Sequence, residues 1–76
     1  MIKIYTTSWC PYCVAAKRLL TERGKKYEEI NIEAQEMSRE DLFAITGGRS
    51  VPQIVINDEM IGGYDNLVEL DSAGKI

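Results

Sequence analysis

Cys10 and Cys13 stand three residues apart in TSWCPYCVAAKRLL, residues 7–20, at the front of a run whose apolar positions recur at helical spacing. Three chemistries use such a pair: a disulfide staple, half of a metal site, or a dithiol that exchanges electrons with other disulfides. A bridge closing so short a loop removes little chain entropy and makes a poor staple. A closed structural zinc site wants four ligands, whereas the chain has two cysteines and no histidine. Only a dimer or an external thiol would complete such a site, so the redox dithiol is the strongest reading.

The two sulfurs are not equivalent. Cys13 continues into Ala16 and Leu20 at steps of three and four, which places it on the core side of a helix. Pro11 suits the first helical position, where its missing N–H is not needed. Cys10 then lies at the helix mouth and should be exposed. Unpaired backbone N–H groups and the positive end of the helix dipole gather there, so Cys10 is expected to ionise more readily than free cysteine. An exposed thiolate attacks a disulfide, and a sheltered neighbour resolves the mixed disulfide that forms.

The elements that must position this pair follow from patterning. MIKIYTT alternates Ile2 and Ile4 against Lys3 and reads as a strand. The first helix runs from about Cys10 to Gly24, a residue able to take the left-handed closing conformation. KYEEINI, with Tyr27, Ile30 and Ile32 apolar, reads as a second strand of imperfect phase. A second helix begins at the Ser38–Asp41 capping box, with Met37 and Leu42 spaced as a hydrophobic staple, and ends at TGG. A start near Glu36 fits the pattern as well. PQIVIND is a third strand and EMIGG a fourth, joined through an Asn57-Asp58 turn, and DNLVELDSAG is a last short helix, for which Asp65 or Asn66 can serve as cap. Strands joined through a helix should lie parallel and the late hairpin antiparallel, giving a small mixed sheet covered by helices.

Composition sets outer bounds. Seventy-six residues allow one small domain, residues 1–76, without a second core. A net charge of −3 argues against nucleic acid as the main partner. No apolar run approaches the length of a membrane span, and Lys3 and Tyr5 interrupt the first apolar stretch where a signal peptide would need continuity, so a cytoplasmic protein is expected. Basic residues (Lys17, Arg18, Arg23, Lys25, Lys26) precede acidic ones (Glu28, Glu29, Glu33, Glu36, Glu40, Asp41). Such segregation ordinarily reflects solvated faces, and docking to an oppositely charged protein is the sharper alternative.

CPYC after an amino-terminal strand, then SVPQIVI and IGGYDNL, resemble the small dithiol glutaredoxins of the thioredoxin superfamily, in the same order and over nearly the whole chain. The resemblance implies a thioredoxin-like α/β fold with a four-stranded mixed sheet in the order βαβαββα. It implies Cys10 as nucleophile, Cys13 as resolving thiol, and glutathione as reducing co-substrate, with no tightly bound cofactor and no metal. Tyr12 would flank bound glutathione. Val51 would offer its backbone to the tripeptide beside a cis Val51–Pro52 bond. Gly63, Asp65 and Asn66 would receive the γ-glutamyl end at the start of the last helix. Each has a plainer role too: Tyr12 in surface packing, Pro52 in starting a strand, and Gly62, Gly63, Asp65 and Asn66 in turning and capping.

The implied partners are disulfide-containing or glutathionylated proteins, with ribonucleotide reductase, a peroxidase or an arsenate enzyme among the candidates, and the implied state is a monomer. Thr7 stands where many glutaredoxins carry a lysine for the glycyl carboxylate of glutathione, and Arg49 is the candidate substitute. Trp9 before Cys10 is similar to thioredoxins, and YTTSWC resembles the mycoredoxin branch, which serves a different small thiol. Recharging by thioredoxin reductase or another low-molecular-weight thiol is therefore an alternative. A dimer holding an iron–sulfur cluster is a further one, against which the stiff, crowded Pro11-Tyr12 turn weighs. The chain stops at Ile76, sooner than relatives that continue the final helix, so that end is expected to fray or to be truncated.

Overall fold

A computed structural model describes all residues, Met1–Ile76. The order is β1 (Ile2–Thr6), α1 (Pro11–Glu22), β2 (Tyr27–Asn31), α2 (Arg39–Thr46), β3 (Gln53–Ile56), β4 (Glu59–Gly62) and α3 (Tyr64–Ser72). The four strands form one sheet in the spatial order β2-β1-β3-β4. β1 runs parallel to β2, with Ile4 opposite Glu29, and antiparallel to β3, with Ile4 opposite Ile54. The β3–β4 hairpin closes through Asn57 and Asp58, both at positive φ (51° and 68°), which matches the right-handed twist of the strands it joins. The expected mixed sheet and βαβαββα order are both present.

Alternation along the strands divides the core between two faces. Ile2, Ile4 and Ile54 pack with Ala16 and Leu20 of α1 and Leu67 of α3. On the other face, Tyr5 and Val55 pack with Leu42 of α2 and Ile32. β2 is a sheet edge, and its Glu28 and Glu29 are both solvent-exposed, which accounts for the imperfect apolar phase read there. No helix is long and apolar enough to cross a membrane.

Local signals fix the helix ends. α1 closes where Gly24 takes φ +70° and the Lys25 N–H donates to the Leu20 carbonyl. Ser38 caps α2: its hydroxyl accepts from the Asp41 N–H, and the Asp41 carboxylate accepts from the Ser38 N–H, each at 3.0 Å. Glu36 sits at φ 55°, outside helical geometry, so the alternative start there does not occur.

The cap of α3 requires a correction. Gly63, in extended conformation, is the N-cap and gives no side-chain bond, so α3 begins at Tyr64 and neither Asp65 nor Asn66 caps it. Both lie inside the first turn instead. At Gly62 (φ +116°) the backbone itself disfavours a side chain, and a Cβ there would lie 2.9 Å from Asn66 Oδ1 and push that side chain aside. Arg23, the C-cap of α1, pairs with Asp71 of α3 through Nε–Oδ1 and a second contact of 2.9 Å, tying the two helices that share one sheet face.

Truncating Leu20, fully buried between α1 and the sheet, to alanine should lower the unfolding free energy by about 2–5 kcal/mol without changing the urea m-value. Ser38→Ala should cost only about 1 kcal/mol. Urea titrations check both, and a smaller loss for Leu20→Ala than for Ser38→Ala would contradict the assigned core.

Candidate active site

Cys10 is the N-cap of α1. Its backbone is extended (φ −154°, ψ 104°), and its Sγ accepts a hydrogen bond from the Cys13 N–H at 3.2 Å. Sulfur here occupies the place that a serine or aspartate oxygen usually takes at a helix start. The Cys13 amide, at the third helical position, is the donor that meets the cap, as is usual for an N-cap side chain. Any negative charge on the sulfur is met by this amide and by the positive end of the helix. Both cysteines are free thiols.

Cys10 is half-buried rather than exposed. Its thiol lies 3.6 Å from the Val51 carbonyl, which it approaches as donor. That carbonyl lies 41 residues away in sequence, immediately before the cis Val51–Pro52 bond that the resemblance implied. Cys13 is 2% exposed, on the core side as its spacing required. Burial pushes its thiol up from 9.0 to about 12, the contact with Cys10 adding to the rise while the Thr7 backbone and the Lys17 ammonium oppose it. One sulfur is accessible at a positive helix end; the other is sheltered and held protonated.

The loop in front of Cys10 is pinned by the end of the neighbouring strand β2 and the residues just after it. The Ser8 N–H donates to Glu33 Oε1 at 2.7 Å, the Asn31 side-chain amide donates to the Ser8 hydroxyl at 3.3 Å, and the Thr7 hydroxyl donates to the Trp9 carbonyl at 3.3 Å. The Ser8 N–H, its hydroxyl and Arg39 hold the Glu33 carboxyl below the usual carboxylate range. With the loop fixed in this way, the Trp9 side chain stands 84% exposed beside Cys10.

Next to the thiol is a groove of about 430 Å³ lined by Tyr12, Ser50, Val51, Pro52, Gly63, Tyr64, Asp65 and Asn66. Six residues singled out in the sequence, Tyr12, Val51, Pro52, Gly63, Asp65 and Asn66, meet there. Arg49 does not line it; its guanidinium lies 4.3 Å from the centre of the Phe43 ring and its carbonyl accepts from Arg39. Ser50 and Tyr64 line the groove without having been singled out. Tyr64 directly follows the two glycines, and its ring lies 6.2 Å from that of Tyr12, forming the other side of the opening. Val51 makes no backbone–backbone hydrogen bond. Gln53, buried behind it, donates to the Ser50 carbonyl at 2.9 Å and steadies the corner.

An N-cap sulfur, a sheltered partner one turn inside the helix and a groove alongside are what dithiol exchange requires. Comparison with known proteins agrees. Residues 2–61 match the family model described as Glutaredoxin. The chain belongs to the glutaredoxin family. It is 43% identical over 75 residues to a glutaredoxin of Pseudomonas aeruginosa, covering 99% of this chain and 89% of that protein. It is 41% identical to glutaredoxin 3 of Escherichia coli over 75 residues, covering 99% of this chain and 90% of that one. Among solved structures, the buckwheat glutaredoxin–glutathione complex superposes with a TM-score of 0.86 at 28% identity, covering 97% of this chain and 70% of that one. The protein is therefore a glutaredoxin-type thiol–disulfide oxidoreductase acting through a Cys10–Cys13 dithiol.

The sheltered state of Cys13 has a consequence for stability. A thiol whose folded value is raised stabilises the fold fully below its unfolded value near 9, and this contribution is lost as pH climbs toward 12. The reduced protein should thus lose stability above pH 9 more steeply than its Cys13→Ala variant, as read from urea midpoints across the alkaline range. Equal slopes would contradict the buried, protonated resolving thiol.

Proposed function

We propose that this glutaredoxin takes its electrons from glutathione, bound in the groove beside Cys10. The observation that supports this most is the convergence of Tyr12, Val51, Pro52, Gly63, Asp65 and Asn66 on one opening next to the nucleophile. The Val51 N–H, which makes no backbone–backbone hydrogen bond, suits an extended peptide laid alongside it as an added strand. The free N–H groups in the first turn of α3 suit an α-carboxylate, and the Asp65 side chain suits the neighbouring ammonium. Tyr12 and Tyr64 bound the opening from opposite elements. Arg49 stands as the candidate cation for the glycyl end, which would require its guanidinium to leave the Phe43 ring.

In the reaction, Cys10 thiolate attacks a substrate disulfide and forms a mixed disulfide while one substrate sulfur leaves and takes a proton. With a protein disulfide, Cys13 attacks Cys10 Sγ, releases the second substrate thiol and leaves a Cys10–Cys13 disulfide. Two glutathione molecules then reduce that bond and emerge as glutathione disulfide. With a glutathionylated protein, Cys10 takes the glutathionyl group and a second glutathione removes it, so Cys13 is not needed. The chain works as a single domain over residues 1–76, as a cytoplasmic monomer serving disulfide-bearing and glutathionylated proteins, with ribonucleotide reductase as one candidate.

Cys13→Ser should retain deglutathionylation within a few-fold and lose protein-disulfide reduction by more than about tenfold. If the folded variant lost both activities, the division of labour would be wrong. Asp65→Asn should raise the KM for glutathione about tenfold with little change in kcat, the expected loss for one charge-assisted contact. Turnover with glutathione and its reductase should exceed turnover with thioredoxin reductase; the reverse order would overturn glutathione as electron source.

A further inference from the structure

Lys17 lies one turn beyond Cys13 on the same face of α1, where side chains four apart meet with Cβ atoms about 5–6 Å from each other. It is half-buried rather than splayed into solvent. Its ammonium is held 3.0 Å from Glu29 Oε2 on β2, and the same oxygen accepts at 2.8 Å from the hydroxyl of Thr6, a fully buried residue of β1. Thr6 in turn precedes Thr7, whose backbone contacts the Cys13 sulfur. Three neighbouring elements thereby fix one positive charge carried one helical turn from a buried thiol.

We propose that Lys17 is a positioning residue for the resolving step: its ammonium, tethered by Glu29 and Thr6, favours the Cys13 thiolate at the moment it attacks. The step itself is balanced within the established exchange. Cys13 loses its proton, its sulfur bonds to Cys10 Sγ, and the bond between Cys10 and the substrate sulfur breaks. The released electron pair stays on the departing sulfur, which takes the proton, or leaves it to buffer when that sulfur is strongly acidic.

The need for such help follows from shelter. A thiol with so little water around it is a poor source of thiolate, and attack requires thiolate. An opposite charge nearby offsets part of the desolvation cost without exposing the sulfur. The Lys17 charge acts in that direction on Cys13, as the weakest of the influences on the resting thiol. The other titratable groups at this seam are Cys10 at the cap of α1 and Tyr27 and Glu29 on β2; the end of β1 and the residue after it contribute only the neutral Thr6 and Thr7. Glu29 both anchors the ammonium and limits its field, and the pairing holds the Glu29 carboxyl below the usual carboxylate range.

The test uses the reduced protein with substoichiometric 5,5′-dithiobis(2-nitrobenzoate), followed by stopped-flow absorption. The fast release of aromatic thiol reports attack by Cys10, and the second release reports resolution by Cys13. Lys17→Gln should slow the second phase about threefold to tenfold at pH 7 and low salt, with the first phase changed less than twofold. Lys17→Arg should restore the second phase to within twofold of wild type. Raising the salt should slow resolution in wild type more than in Lys17→Gln. A merely structural helix–strand tie would alter both phases together. The proposal is overturned if Lys17→Gln resolves at the wild-type rate, if both phases slow alike, or if Lys17→Arg fails to rescue.

Discussion

The hydrogen bond from the Cys13 amide to the Cys10 sulfur is the contact on which the rest of the site depends. It makes a cysteine do the work of a helix cap. A capping atom must face the helix end, accept from its amides and remain reachable from outside, and a redox nucleophile needs the same three conditions. The three-residue spacing then places the second sulfur one turn inside the helix, where periodicity carries it into the core. One short motif thus yields two sulfurs in opposite environments without any separate structure to enforce the difference.

The remainder of the chain gives that contact a context. Helix α1 is held by Ala16 and Leu20 against β1 and β3, so the cap cannot drift relative to the sheet. The loop before it is fixed by Asn31 at the end of β2 and by Glu33 just beyond it. The corner before β3 covers Cys10 with the Val51 carbonyl and is itself steadied by the buried Gln53 amide. Gly48 lies so close to that amide that a Cβ there would come within 2.5 Å of Gln53 Nε2, which explains a small residue in the TGG segment beyond its role in ending α2. Burial of polar groups is tolerated throughout because they are paired: no buried side-chain nitrogen or oxygen lacks a partner.

What could be read from the sequence was local in origin. The Ser38–Asp41 box, the Gly24 closure, the Asn57-Asp58 turn and the core-facing periodicity of Cys13 each depend on residues a few positions apart. The features that escaped reading depend on distant ones. The Glu33–Ser8 contact joins residues 25 positions apart, Thr6–Glu29 joins residues 23 apart, and no spacing rule points to either. The half-burial of Cys10 comes from Val51, so a helix-mouth argument alone overstated its exposure. At α3, glycine, aspartate and asparagine all suit a cap, and the choice of Gly63 follows from the hairpin that delivers the chain there. Resemblance to the family supplied the groove residues; the physical signals within IGGYDNL showed only a turn and a helix start.

The central claim is the contrast between the two sulfurs, and selective alkylation of the reduced, folded protein measures it most directly. Iodoacetamide at pH 7, quenched over a time course and mapped by peptide mass, should label Cys10 to completion while Cys13 stays unmodified, the protection of Cys13 vanishing in urea. Equal labelling of both thiols in the folded protein, or earlier labelling of Cys13, would contradict the account.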